Sequence, residues 1–296
     1  MSKTSSHSEL PPRNLWIGVA WMVLAMSCIG IVDATAKWLG QSLHGLQVVW
    51  GYFNAMTFTL VLVIIAQRGS PIKLLRTQRW KLQVGRAACL VGSLSCLFVA
   101  LQHIPLAEAT VISFTAPLFV VALAGPMLRE QVHWTRRVAV LTGMAGATLV
   151  VRPGTDLFQI AALLPLIGSF FFALFNIITP MLREDTSQTT LLYTFGAGAL
   201  LTTVGAPWVW QWPSLNEWLI ILGFGALGAL AHHGIVRSFM NADVSTLAPL
   251  NYARLVWALG LGWILFGQWP DTLALVGGAI IVASGLYVVM NAARGN

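Results

Sequence analysis

Charge is what this chain has least of: charged residues make up 9% of its 296 positions, against about 25% in a soluble domain. That scarcity excludes an ordinary water-soluble globule. Cysteine is nearly absent as well, and Cys28, Cys89 and Cys96 all fall inside apolar runs, so an extracellular disulfide framework is excluded and packing is their expected role. No phosphate-binding loop occurs, which argues against ATP hydrolysis by this chain. His232 and His233 are adjacent and face different ways on a helix, unlike the i,i+4 pair of a helical metal site, so no metal site and no cofactor are expected. All four lysines sit in tails or loops by sequence, and no nucleophile stands beside a base; an intramembrane enzyme is the weaker reading.

Apolar residues fill what charge leaves, at 57% of the chain. They form about ten runs near the length of about 20 residues that a helix needs to cross hydrocarbon. The spans read as 15–37, 46–67, 84–102, 107–128, 134–151, 158–181, 189–210, 216–238, 244–266 and 272–291. Runs such as "FTLVLVIIA" show no in/out alternation, which excludes a β-barrel. The expected fold is an all-α integral membrane protein, with residues 1–14 as a cytoplasmic tail and 292–296 as a cytoplasmic C-terminus. The tail is polar enough to be disordered.

The net charge of +7 does not point to nucleic acid, because the cations are sorted among short loops rather than gathered on one exposed face. With the N-terminus cytoplasmic, 14 of the 17 Lys and Arg fall on one side, among them Arg68, Lys73, Arg76, Arg79, Lys81 and Arg86. Lys37 and Arg152 fall on the other side, and Arg254 alone is left inside a span. The positive-inside rule then places both termini in the cytoplasm and the chain in the plasma membrane, with the lipid bilayer and a small solute as its expected partners. Most of the 13 tryptophans, Trp16, Trp38, Trp208 and Trp212 among them, lie at span ends as interfacial anchors.

"TAPLFVVALAGPMLRE", ending at Glu130, lays onto "ARLVWALGLGWILFGQ", ending at Gln268, by spacing and span order. The chain therefore reads as two repeats, 15–154 and 155–291, of five spans each. Five is odd, so the second copy enters the membrane from the opposite side and the repeats are inverted. Pro117 and Pro126 interrupt span 4 and Pro249 interrupts span 9, the fourth members of their halves. Interruptions of that kind mark solute sites near the midplane of transporters.

The stretches "PLAEATVISFTAPLFVVALAGPMLREQVHWTRRVAVLTGMAGATLVVRPG" (105–154) and "DVSTLAPLNYARLVWALGLGWILFGQWPDTLALVGGAIIVASGLYVV" (243–289) resemble the two EamA-type repeats of the drug/metabolite transporter superfamily. Within it, the YddG-like amino-acid exporters are the nearest resemblance. The likeness covers nearly the whole chain and implies ten helices, a central cavity lined chiefly by spans 1, 3, 4, 6, 8 and 9, and alternating access. Gln268 departs from the family pattern, which carries Glu there as Glu130 does in the first repeat. The implied function is secondary transport of a small organic metabolite, foremost amino-acid export; a vitamin, a nucleoside derivative or a cationic drug is the alternative.

Arg254 carries the chemistry in this reading. A cation deep in a span costs roughly 3 kcal/mol on insertion scales, and it either binds a carboxylate of the solute bidentately or serves as a paired structural cation. On one continuous helix Asn251 shares its face, and Tyr252 and Trp257 flank it. Asn176, Phe175, His232 and Trp21 complete the candidate cavity lining, with apolar packing as the alternative for each. Asp33 and Lys37, one turn apart, are expected to pair, with proton coupling as the other role for Asp33. Glu108 is expected in the first turn of span 4, where it complements the helix dipole. "GFGALG" (223–228) matches a dinucleotide-binding pattern, but lies inside an apolar span and reads as close helix packing.

Overall fold

The computed structural model describes residues 14–128, 134–151, 160–182, 184–242 and 247–293; the tail, Glu130, Arg152 and the last three residues lie outside them. Helices begin where a side chain can take up the first free amides. Asn14 Oδ1 accepts from the Trp16 N–H at 3.1 Å and opens α1 (Leu15–Leu39), and His44 opens α2 (Gly45–Ala66). α3 (Trp80–Leu101) follows, then α4 (Leu106–Ser113), with Glu108 in its first turn, and α5 (Ala116–Leu128). α6 (Trp134–Val151) and α7 (Leu163–Ile178) come next. Thr186 caps α8 (Ser187–Gly205), and Ser214 with Glu217 forms a reciprocal capping box on α9 (Leu215–Asn241). After a 3₁₀ turn, Ala248–Tyr252, come α10 (Ala253–Phe266) and α11 (Thr272–Ala293).

Among the described residues seven helices are long and apolar enough to cross a membrane, and three shorter apolar helices, Arg137–Val151, Leu250–Phe266 and Thr272–Tyr287, bring the set to ten. Every regular element among those residues is helical. The packing repeats itself when the first five spans are exchanged for the second five. The contact of α1 with α9 has its counterpart in α3 with α7, that of α2 with α9 in α3 with α8, and that of α1 with α10 in α5 with α7. The pairs α2 with α8, α4 with α10 and α6 with α11 map onto themselves. Such a pattern is what an in-plane pseudo-twofold between inverted repeats requires.

The centre of the molecule is apolar and aromatic. Tyr52 on α2 meets Phe98, Phe195 and Phe224, from α3, α8 and α9, edge to face, with centroids 5.6–6.1 Å apart. Small residues let these helices close up, and the glycine-rich stretch at 223–228 is part of that. A Cβ on Gly225 would stand 2.3 Å from the Ala55 carbonyl oxygen, and one on Gly228 2.5 Å from Met56 Sδ.

Two spans are broken where proline comes in. Pro117 lacks the amide that would bind the carbonyl of Ser113, and its ring would clash there. Span 4 accordingly stops at Ser113 and restarts at Ala116. The Ser113 carbonyl freed at the break lies 3.2 Å from the buried hydroxyl of Ser169 on α7, which donates at 2.8 Å to Pro165 O of its own helix, while Ile112 O accepts from the Thr115 amide and hydroxyl. Span 9 is not the single helix expected from sequence. It passes through a 3₁₀ turn with Pro249 near its start, and the α-helix begins only at Ala253. The two restarts, at Ala116 and Ala253, fall within one residue of each other in the repeat alignment.

Candidate functional site

Arg254 is the second residue of α10, so its cation sits at the positive end of a half-helix, where a helix dipole disfavours it. Asp33 of α1 answers it: Arg254 Nε donates to Asp33 Oδ2 at 2.5 Å, with side-chain exposures of 19% and 4%. One expectation is corrected by this contact: Asp33 does not pair with Lys37. Of the two roles left open for Arg254, the contact is that of a paired cation. Rise along each helix taken alone sets Asp33 deeper than Arg254 when both are counted from the starts of their spans. The count ignored how closely the helices approach. A Cβ on Gly30 would lie 2.5 Å from the Trp257 Cβ, so α1 and α10 touch backbone to side chain one turn from the pair. At that separation an arginine side chain spans the difference.

The contact uses only one of the guanidinium's five N–H donors. Among the described residues the terminal nitrogens of Arg254 have no protein partner. Among those residues Asp33 likewise uses one carboxylate oxygen. The site thus presents a cation and an anion side by side at the junction of the two halves, each with hydrogen-bonding capacity left.

Lys37 is buried by another route. Its ammonium donates to the carbonyls of Leu101 at 2.7 Å and Ile104 at 2.8 Å and lies 5.5 Å from the Phe266 ring centroid. It therefore ties the ends of α1, α3 and α10 together rather than facing water. Most neighbouring links at this end are made by side-chain amides. Gln102 donates to the carbonyls of Gly40 and Leu43 and accepts from the Gly45 amide, and the Gln47 side chain exchanges two bonds with the backbone of Gln211. Ser42 also bonds Glu217. At the opposite end Arg79 pairs with Glu184 at 2.8 Å, an exposed contact.

The other sequence candidates divide between two places. Tyr252 stands in the turn before α10, its ring 4.8 Å from Phe114 at the break of span 4, and Trp257 is one turn further along. Asn251 is exposed on the 3₁₀ turn, so it and Arg254 do not share a regular helical stripe. Phe175 and His232 gather instead near Arg86 of α3, whose guanidinium carbon lies 3.9 Å from the Phe175 ring centroid and which is within electrostatic reach of His232. His232 Nδ1 is 3.0 Å from the Gly228 carbonyl oxygen. Asn176 donates to the Phe172 carbonyl at 2.7 Å, and Trp21 meets His233 edge to face at 5.5 Å.

Arg86 is the residue that sequence reasoning misplaced. Counted with the cytoplasmic loops, it is 7% exposed and lies within α3, six residues past Trp80. A signal was there: Trp80 is an interfacial anchor, and Gln83, Arg86, Leu90, Ser93 and Leu97 follow at helical spacing on one buried stripe. Ser169 was missed as well, because nothing in its own neighbourhood shows that a freed carbonyl lies opposite.

Comparison with known proteins fits this architecture. Residues 16–152 match the EamA-like transporter family. An S-adenosylmethionine uptake transporter from Rickettsia bellii is 26% identical over 274 residues, covering 92% of this chain and 93% of that one. A riboflavin transporter from Vibrio cholerae is 29% identical over 275 residues, with 92% of each chain covered. The pseudopaline exporter CntI of Pseudomonas aeruginosa is 26% identical over 284 residues, with 90% and 94% covered. A crystal structure of another protein superposes with a TM-score of 0.64 at 20% identity, over 95% of this chain and 98% of that one, a likeness of fold.

Proposed function

We propose that this chain, a member of the EamA-like transporter family through residues 16–152, is an alternating-access secondary transporter whose solute is an amino acid or an amino-acid-like metabolite moved out of the cell. The observation that carries the substrate class is the Asp33–Arg254 pair, a buried acid and base in contact between α1 and the restarted half-helix α10. An amino acid is a carboxylate and an ammonium a few ångströms apart. Its carboxylate meets the terminal nitrogens of Arg254, and its ammonium meets Asp33. An S-adenosylmethionine carrier among the relatives supports the class, and the pseudopaline exporter supports the direction.

The broken fourth and ninth spans give the motion a place to act. Half-helix ends facing a midplane site are where one bundle rocks against the other around a bound solute. The packing of α1 with α10 and of α5 with α7 is the pair of symmetry-related contacts that such rocking exchanges.

A flat heterocyclic solute is the second reading. Phe172 and Phe175 stack at 5.6 Å with their planes 16° apart on α7, and a riboflavin transporter is among the relatives. Flux of labelled amino acids and of riboflavin into sealed proteoliposomes separates the two. Amino-acid flux that disappears in Arg254→Gln supports the first; unaltered flux in that variant removes it.

A further inference from the structure

Among the described residues the buried guanidinium of Arg86 is held by neutral groups alone. Nε donates to Thr179 Oγ1 at 2.8 Å, a terminal nitrogen donates to Thr194 Oγ1, and one face lies on the Phe175 ring. Hydroxyls and a ring do not cancel a full charge, and inside a membrane such a cation marks a pathway or a missing anion. Asp185 at this end of the bundle is engaged elsewhere: its Oδ2 accepts from Gln83 Nε2 and Thr77 Oγ1, both at 2.8 Å. Among the described residues no carboxylate pairs with Arg86, and its second terminal nitrogen has no protein partner.

One turn earlier on the same helix face lies an acceptor in the complementary condition. Gln83 is 0% exposed, its amide donates to Asp185 and Thr190, and its Oε1 is the only enclosed side-chain N or O among the described residues without a hydrogen-bond partner. Residues three apart on a helix are about 5–6 Å apart at Cβ. A donor and an acceptor without protein partners among the described residues therefore lie on one helix face a turn apart, Arg86 about 9 Å in from the start of α3. Asp33 and Arg254 lie towards the opposite end of the bundle: Asp33 is six residues before the end of α1, which by the inferred topology runs in the same direction as α3.

We propose that Arg86 and Gln83 form a second binding station for a carboxylate-bearing solute, at the end of the path where α3 begins. The carboxylate meets the open edge of Arg86, and a donor on the solute meets Gln83 Oε1 once α3 and α8 part. The proposal rests on the transport reading for its solute, and on Arg86 and Gln83 for its place.

The full chain in proteoliposomes is treated with phenylglyoxal, an arginine reagent, in millimolar acetate, glycine or chloride, and adducts at Arg86 and Arg254 are read separately by peptide mass spectrometry. Arg86 should react, with acetate and glycine slowing it at least about threefold relative to chloride, as occupancy of a site requires. An Arg86 that stays unreactive while reacting in the unfolded chain overturns the proposal, and so does equal reaction in all three anions. Protection at Arg254 with none at Arg86 removes this station and leaves the central one; the reverse pattern removes the central one. As a second arm, Arg86→Lys should raise KM about tenfold with turnover held within about twofold, the signature of lost binding. Unchanged KM with a fall in folded yield would make Arg86 a structural clamp.

Discussion

Arg254 and Asp33, 221 positions apart in the chain, meet at 2.5 Å where α1 touches the restarted half of span 9. The contact joins the first span of one repeat to the fourth of the other, so any motion of the halves must move, break or carry it. Removing one partner strands the other charge. Asp33→Asn should lower stability by about 3–5 kcal/mol, and Asp33→Asn with Arg254→Gln should recover most of that while leaving transport abolished. Thermal unfolding in detergent, set beside solute flux in vesicles, checks both halves of this expectation. A double variant no more stable than the single one would mean that the pair is not the source of the loss.

Gly30 sets the distance between α1 and α10. With a Cβ there 2.5 Å from that of Trp257, Gly30→Ala should force the two helices apart at a cost of about 1–3 kcal/mol. Flux should fall further than stability, because Arg254 then loses its reach to Asp33. Gly223, whose added Cβ meets nothing within 4 Å, is the matched control, and Gly223→Ala should leave both readings unchanged.

Pro117 stops span 4 from running through. Pro117→Ala restores an amide opposite the Ser113 carbonyl and removes the ring clash, so the expected protein is as stable as the original or more so, yet transports at least about tenfold more slowly. A variant that unfolds more readily than the parent would count against the break as the element held in tension.

Ser169 stands against the break, its hydroxyl donating to Pro165 O at 2.8 Å and lying 3.2 Å from the Ser113 carbonyl oxygen. Ser169→Ala should cost about 0.5–1.5 kcal/mol, the size of one hydrogen bond. Part of that cost should disappear in the Pro117→Ala background, where the Ser113 carbonyl regains its helical partner and only the bond to Pro165 remains to be lost. A double-mutant cycle read by unfolding temperature measures the coupling.

The inferred orientation places residues 40–44 outside the cell and residues 67–79 inside it. A single cysteine at Gln41, in a cysteine-free background, should react with a membrane-impermeant maleimide added to intact cells, and one at Gln78 should react only after the membrane is opened. Equal labelling at both positions, or the reverse order, would invert or end the topology.

The spans could be located from sequence because hydrocarbon thickness imposes one length on every helix, and proline marked the break in span 4. The break in span 9 was not legible in the same way, although Thr115 and Ala253 lie opposite each other in the repeat alignment. What could not be read was lateral: the rise along a helix gives depth, but it says nothing about which helices touch. Asp33 was therefore assigned to Lys37, its neighbour on the same helix, whereas the actual partner comes from a helix brought close by Gly30. Lys37 turned to main-chain carbonyls for the same reason. Arg86 was lost to the positive-inside bookkeeping, which sorts cations by loop and has no place for one drawn inward by two threonines and a phenyl ring.

The two faces of this molecule are fastened by different chemistry. At the end held by Gln102, Gln47 and Lys37 the clasps are side-chain amides and a sheltered ammonium on main-chain oxygens, whereas Arg79 and Glu184 join across water at the other. Dissolved ions weaken only contacts they can surround. Rising ionic strength should therefore weaken the Arg79–Glu184 clasp, worth at most about 1 kcal/mol, while the hold of Arg79 on the Met181 carbonyl and of Tyr193 on the Leu75 carbonyl persists.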